Sequence, residues 1–258
     1  MTMTSEFNAP VDQKAYDLAC RLGNAHASVR KIAHEINNAL TGVVTFSKIL
    51  SRLVCQDPFP AHRIEDIRQD TAHLERAADR SAQLAKAFLR FSHRGPVRIR
   101  ILDPLQTAIE AARNLVETRR AENIRILIRE HNEPCLVYAC PDRIRDALNY
   151  VIENALDAMP HGGTLTIEPL QAQEGRWIGV AVTDTGPGIP PEHADAVFEP
   201  FFSTKQPENG KGLGLGLFFA RTIIEQHGGH LRIERCEAGG TRMAILLPEV
   251  KAGPSGTR

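Results

Sequence analysis

Eleven apolar positions between Leu18 and Leu53 constrain this chain more than any other feature. Leu18, Leu22, Ala25, Val29, Ile32, Ile36, Ala39, Val43, Phe46, Leu50 and Leu53 recur at alternating spacings of four and three residues, which is a heptad seam on an α-helix. Read from about Val11 to Leu53, the helix has roughly 40 residues and a length of about 60 Å. Asp57-Pro58-Phe59-Pro60 stops it. A second helix, about His62 to Phe91, keeps the rhythm through Ile64, Ile67, Thr71, Leu74, Ala78, Ser81, Ala85 and Phe88. Two long helices joined by a short Pro-containing loop predict an antiparallel hairpin. One hairpin buries only a narrow stripe, so a homodimer is expected in which two hairpins pair as a four-helix bundle.

The pattern changes at Arg94-Gly95-Pro96. Beyond it, Asp103-Pro104 opens a helix to about Arg120. Ile124–Ile128, Leu136–Ala139, Thr164–Pro169, Trp177–Asp184, His230–Arg235 and Thr241–Leu247 read as strands, and Asp142–Met159 and Leu213–His227 as helices. The fold class expected is α+β: a long helical hairpin followed by an α/β sandwich. The divisions are 1–10 and 251–258 as loose polar tails, 11–94 as the hairpin domain and 95–250 as the sandwich domain.

Composition narrows the function classes. Lys plus Arg and Asp plus Glu both number 31 among 258 residues, which argues against a general nucleic-acid binder. No apolar run approaches the ~20 residues of a bilayer span, and the N-terminus lacks a signal-peptide pattern. The five cysteines are scattered, with no CxxC pair, so a reducing compartment is the default. The expectation is a cytoplasmic protein with no membrane span and no direct contact with nucleic acid.

Three segments carry candidate chemistry. Gly210-Lys-Gly-Leu-Gly-Leu-Gly-Leu217 runs into a predicted helix; it reads either as a phosphate site, where backbone N–H groups meet an anion, or as a flexible loop. Its spacing is neither that of a Walker A loop nor GxGxxG. Asp184-Thr-Gly-Pro-Gly-Ile189 closes a strand, either as a plain turn or as a carboxylate that accepts from an amino group. Asn154-Ala-Leu-Asp-Ala158 lies in a helix, where Asn154 is either a surface residue or an oxygen ligand for magnesium.

Their order in one chain is more specific than any of them alone. The Asn-bearing helix, Asp-x-Gly-x-Gly, Phe198-Glu-Pro-Phe-Phe-Ser-Thr-Lys205 and the glycine run follow one another. The series resembles the N, G1, F and G2 boxes of the ATP-binding domain of sensor histidine kinases, within the Bergerat-fold ATPases. Gly239-Gly240-Thr241 resembles that family's final glycine motif, and His34-Glu35-Ile36-Asn37-Asn38-Ala39-Leu40 its phosphoacceptor box. If Leu22, Val29 and Ile36 are a positions of the heptad, His34 falls at f, away from the seam.

The resemblance implies a histidine kinase that uses ATP and Mg²⁺. His34 would accept the γ-phosphoryl group, with Glu35 as the base or ring-orienting carboxylate. Asn154 would hold the metal, with Asp157 beside it at the nucleotide. Asp184 would read the adenine amino group, between Gly186, Gly188 and Thr241. Gly210, Gly212, Gly214 and Gly216 would cover the phosphates, with Lys205 and Lys211 as phosphate contacts. The phosphoryl group would pass to an aspartate of a response regulator, and Asn38, four residues after His34, would serve dephosphorylation of that regulator.

Two positions depart from the family pattern. Ala39 stands where many members have proline, and Tyr150 where the N box often has a second Asn. The chain leaves no room for a sensor domain, so the signal is expected either through a separate sensor protein or through a part of a longer chain. The competing reading is a histidine phosphotransferase or scaffold with a degenerate ATP domain. His227 and His230, flanking Gly228-Gly229, are expected to be structural.

Overall fold

A computed structural model describes residues 26–55, 64–92, 98–121, 123–129, 135–172, 177–204, 213–234 and 239–250. The start of the first predicted helix, before His26, and the candidates Lys205, Gly210, Lys211 and Gly212 lie outside these residues. The chain divides into two compact units.

The first unit contains α1 (His26–Val54) and α2 (Ile64–Ser92). The helices are antiparallel: a Cβ on Gly42 would lie 3.7 Å from Ala77 Cβ, while Phe46 stacks on His73 at 5.4 Å. Val43, Phe46 and Leu50 are half-buried and Leu53 is buried, as the seam predicts. On α2 the predicted stripe splits. Ile67, Leu74, Ser81 and Ala85 turn inward, whereas Ile64, Thr71 and Ala78 are exposed. A single partner helix covers only about one narrow face of a helix, so half of a 3-4 stripe stays in solvent.

The second unit is a layer of helices on a mixed sheet. Its elements are β1 (Arg100–Leu102), α3 (Pro104–Thr118), β2 (Ile124–Ile128), β3 (Val137–Ala139), α4 (Pro141–Asp157), β4 (Gly163–Ala172), β5 (Trp177–Thr183), α5 (Gly216–Gln226), β6 (His230–Glu234) and β7 (Arg242–Pro248). The five-stranded sheet has the order β2-β4-β5-β7-β6, and β1 pairs with β3 separately. Only β2 and β4 are parallel. Asp103 caps α3 by accepting from Leu105 N–H, with Pro104 in the first turn.

The core fills one side of the sheet. Leu165, Ile167, Val180, Val182, Ile245 and Leu247 are almost fully buried, as are Ala108 and Ala112 of α3, Ile144, Leu148 and Ile152 of α4 and Phe219 and Ile223 of α5. Charges of alternating sign link three strands and the end of a fourth. Glu168 binds Arg129 and Arg242, and Arg242 also binds Glu234, which holds Arg232.

The elements agree with the sequence reading apart from these differences: β1 (Arg100–Leu102) has no counterpart in it, and α5 starts at Gly216 rather than at Leu213. β4 continues past Pro169 to Ala172. Ile167 C=O faces β2, where it accepts from Arg129 N–H. By strand alternation Pro169 turns its nitrogen to the same side, beyond the last β2 pairing at Ile128–Ile167, so the missing N–H costs no ladder bond. The helix expected to run to Met159 ends at Asp157, with Ala158 as its cap. Short 3₁₀ turns at Pro191–His193 and Ala196–Phe198 replace what reads in sequence as plain loop.

Candidate functional site

The site builds around the end of β5. Its strand is a run of buried residues from Ile178 to Val182, and it delivers Asp184 into the interior, where only 3% of the residue is exposed. One carboxylate oxygen, Oδ1, accepts from Gly186 N–H at 2.8 Å and from Thr241 N–H at 3.2 Å. Asp184 N–H in turn donates to Thr241 C=O at 2.9 Å. Burial pushes the carboxyl above its ordinary range, and the hydrogen bonds from Gly186 and Thr241 oppose that without cancelling it. The result is a fixed acceptor at the mouth of two strands.

Glycines let three segments converge on it. Gly240 has φ +82° and backbone so close that a Cβ would lie 1.9 Å from Asp184 C=O; an L side chain fails there on both counts. Gly188 stands against Gly240 C=O, and Gly186 against Ala158 at the end of α4. Thr185 Oγ1 accepts Thr164 N–H at 3.0 Å, tying the same turn to β4.

Helix α4 ends against the Asp184 turn, where Ala158 meets Gly186 one helical turn after Asn154. Ile144, Leu148, Val151, Ile152 and Ala155 make its buried face, and Tyr150 and Asn154, one turn apart, are half-buried beside it. Asp157 has a different setting. It is exposed and bound by Arg119 Nη1 at 2.6 Å, while Arg119 Nη2 reaches Glu153 at 3.5 Å, so Asp157 joins α3 to α4. Arg119 lies 38 residues away, and nothing in the local sequence announces the pair.

The Phe198-to-Lys205 segment and the second half of the glycine run meet in backbone. Phe201 N–H donates to Gly214 C=O at 2.9 Å. Gly214 has φ +64°, and a Cβ there would lie 2.3 Å from Phe202 C=O, so only glycine fits. Phe201 itself carries φ +72°, a strained value for a bulky residue. Phe198 is buried under the Arg221 guanidinium at 5.3 Å. Gly216 starts α5, whose first turn has no side-chain cap.

His227 is structural, as expected. Buried at the end of α5, it donates from Nδ1 to Ile223 C=O at 2.7 Å and accepts Cys140 N–H at Nε2 at 3.2 Å. Burial lowers its pKa to about 4. His230 is exposed and packs on Trp177 at 4.7 Å. In the helical unit His34 and Glu35 lie on α1. Asn38, Thr41, Thr45 and Lys48, which share the His34 face by helical spacing, are all exposed.

A carboxylate acceptor at a strand end, an amide on the facing helix and an uncapped helix N-terminus suit a purine nucleotide. The acceptor fits an exocyclic amino group, the helix end fits phosphate, and one side-chain oxygen suits Mg²⁺, which is held mainly by water and phosphate oxygens.

Comparison with known proteins agrees with this chemistry. Residues 139–251 match the family described as histidine kinase-, DNA gyrase B-, and HSP90-like ATPase. The chain is 31% identical over 233 residues to the sensor kinase CckA of Brucella abortus (strain 2308), covering 85% of this chain and 24% of that protein. It is 32% identical over 231 residues to the sensory histidine kinase/phosphatase NtrB of Salmonella typhimurium (strain LT2), covering 85% of this chain and 61% of NtrB. Among solved structures, histidine kinase ThkA in complex with the response regulator protein TrrA matches with a TM-score of 0.53 at 23% identity, over 97% of this chain and 68% of that one. The chain thus spans about a quarter to three fifths of these two curated relatives. The chain is similar to sensor histidine kinases over most of its length, and residues 139–251 to an ATPase domain. Among the described residues no helix is long and apolar enough to cross a membrane.

Proposed function

We propose that this chain, which carries an ATP-binding domain of the histidine kinase-, DNA gyrase B-, and HSP90-like ATPase family, is the kinase core of a two-component system. In this reading residues 11–94 form the dimerisation and phosphoacceptor domain and residues 95–250 the Mg·ATP domain. The observation that carries it is Asp184, a buried carboxylate at a strand end, held by Gly186 and Thr241 N–H, with the end of the Asn154-bearing helix packed on Gly186 at Ala158.

Asp184 accepts from the adenine amino group, with Gly186, Gly188 and Thr241 shaping the wall. Asn154 holds Mg²⁺ through its amide oxygen, with Asp157 nearby as a part of the same turn. Held there, Mg²⁺ would supply charge neutralisation at the phosphate oxygens. Gly214 and Gly216, with Gly210, Gly212, Lys205 and Lys211, cover the phosphates. A ring nitrogen of His34 forms a bond to the γ-phosphorus as the bond to the β–γ bridging oxygen breaks, and ADP leaves. Glu35 takes the ring proton or holds the neutral tautomer. The exposed face of α1 that carries Asn38, Thr41, Thr45 and Lys48 supports access to His34 by a second protein.

The phosphoryl group then moves to an aspartate of a response-regulator receiver domain. The complex of ThkA with TrrA supports this class of partner. NtrB, named a kinase/phosphatase, supports a return reaction in which Asn38 orients water toward the regulator's phosphoaspartate. Dimerisation through the hairpin would cover Leu40 and Val44, which are 46% and 52% exposed, and the outward residues Ile64, Thr71 and Ala78.

Calorimetric titration with Mg²⁺ and a non-hydrolysable ATP analogue tests the nucleotide site. Binding by the wild-type chain, weakened about tenfold or more in Asn154→Ala, is expected; equal affinity in both would remove Asn154 from the site. For the return reaction, Asn38→Ala is expected to lose phosphatase activity while keeping autophosphorylation.

A further inference from the structure

We infer that the ring of Tyr150 is a positioning residue for the phosphate end of the bound nucleotide, acting by fixing the first turn of α5 over the Asn154 turn of α4. This inference rests on the nucleotide-site reading above.

Helices α4 and α5 run antiparallel and touch at both ends of α5. At one end Cys140, which precedes α4, donates its N–H to His227 after α5. At the other end Tyr150 packs against the start of α5. Its ring lies 5.7 Å from that of Phe219. A Cβ on Gly216 would stand 3.6 Å from Tyr150 Cδ1 and 3.9 Å from Tyr150 Cβ, so the tyrosine sits in van der Waals reach of the backbone that opens α5. Asn154 follows Tyr150 by one helical turn on the same face.

The placement has a chemical consequence. The N–H groups of the first turn of α5 have no side-chain cap and are the donors offered to phosphate. Tyr150 is the side chain that meets the backbone opening α5, one turn before Asn154 on α4, and so braces these donors relative to the Asn154 turn. Asp184 is held separately, by Gly186 and Thr241. Loss of the ring therefore loosens the phosphate end of the site and leaves the adenine end in place. The contacts recorded to Gly216 and Phe219 are made by ring and Cβ atoms, so phenylalanine preserves them.

The experiment is a set of titrations on the full chain with Mg²⁺, using a non-hydrolysable ATP analogue by calorimetry and adenosine by ligand-observed NMR, together with the melting temperature of each variant. Tyr150→Ala is expected to weaken the analogue about tenfold while adenosine stays within about twofold, and Tyr150→Phe, which keeps the ring, to hold the analogue more tightly than Tyr150→Ala. Tyr150→Leu, which keeps an apolar contact with Phe219 but loses the flat ring, is expected to fall between them and replaces the alanine variant if that one does not fold. Equal weakening of both ligands, or an analogue affinity unchanged in Tyr150→Ala and Tyr150→Leu, overturns the positioning role. If the wild-type chain binds neither ligand, the nucleotide-site reading fails, and this inference with it.

Discussion

At the scale of single residues, the buried Asp184 and His227 are shifted in opposite directions. Asp184 is held above the ordinary carboxylate range by burial. The stabilisation tied to its protonated form is full below the unfolded value and is lost as pH rises through the folded one. Asp184→Asn removes that cost and keeps an oxygen for Gly186 and Thr241 N–H. The variant is expected to melt at or above the wild-type temperature at pH 7 and to bind ATP analogue far more weakly; paired calorimetry and thermal denaturation check both halves. His227 is neutral when folded, with its pKa lowered from 6.5 to about 4. The unfolded chain takes up the proton first, so stability falls as pH drops from about 6.5 to about 4, by at most roughly 3 kcal/mol. His227→Gln is expected to flatten this part of a plot of denaturation midpoint against pH, and parallel plots would contradict the assignment. The strand-end position of Asp184 is legible in sequence from the apolar run before it and the glycines after it. The Thr241 partner, 57 residues on, is not, because it depends on β5 and β7 pairing in one register.

At the scale of elements, periodicity carries most of the information. The seam of α1 is legible because its apolar spacing matches the helical repeat over many turns. The α2 stripe is legible only in part: Ile67, Leu74 and Ser81 turn inward, and Ile64, Thr71 and Ala78 do not, since spacing says nothing about how many partners cover a face. Pro169 reads as a strand end and is in fact mid-strand, because sheet order decides whether a missing N–H matters. The junction between β5 and β7 depends on backbone shape alone. Gly240→Ala is expected to cost about 2 kcal/mol or more, since its Cβ would meet Asp184 C=O at φ +82°. Chemical denaturation measures this, and a loss below ~0.5 kcal/mol would show that the loop relaxes freely.

At the scale of the whole molecule, a helical hairpin and an α/β ATP-binding unit occur in one chain of 258 residues. In the proposed reading this pairing, rather than any single motif, separates a kinase that phosphorylates itself from an ATPase that acts elsewhere. The exposed Leu40, Val44 and Ile64 predict self-association. Light scattering at micromolar concentration is expected to report a dimer, and charged substitutions at Leu40 and Val44 together are expected to shift it toward monomer. The central claim is that His34 receives phosphate from ATP held near Asn154. The most direct test is incubation with γ-labelled ATP and Mg²⁺, comparing wild type, His34→Ala and Asn154→Ala, followed by acid treatment. Acid-labile label is expected on the wild-type chain and none on either variant. Label that survives acid, or that persists in His34→Ala, would contradict that claim.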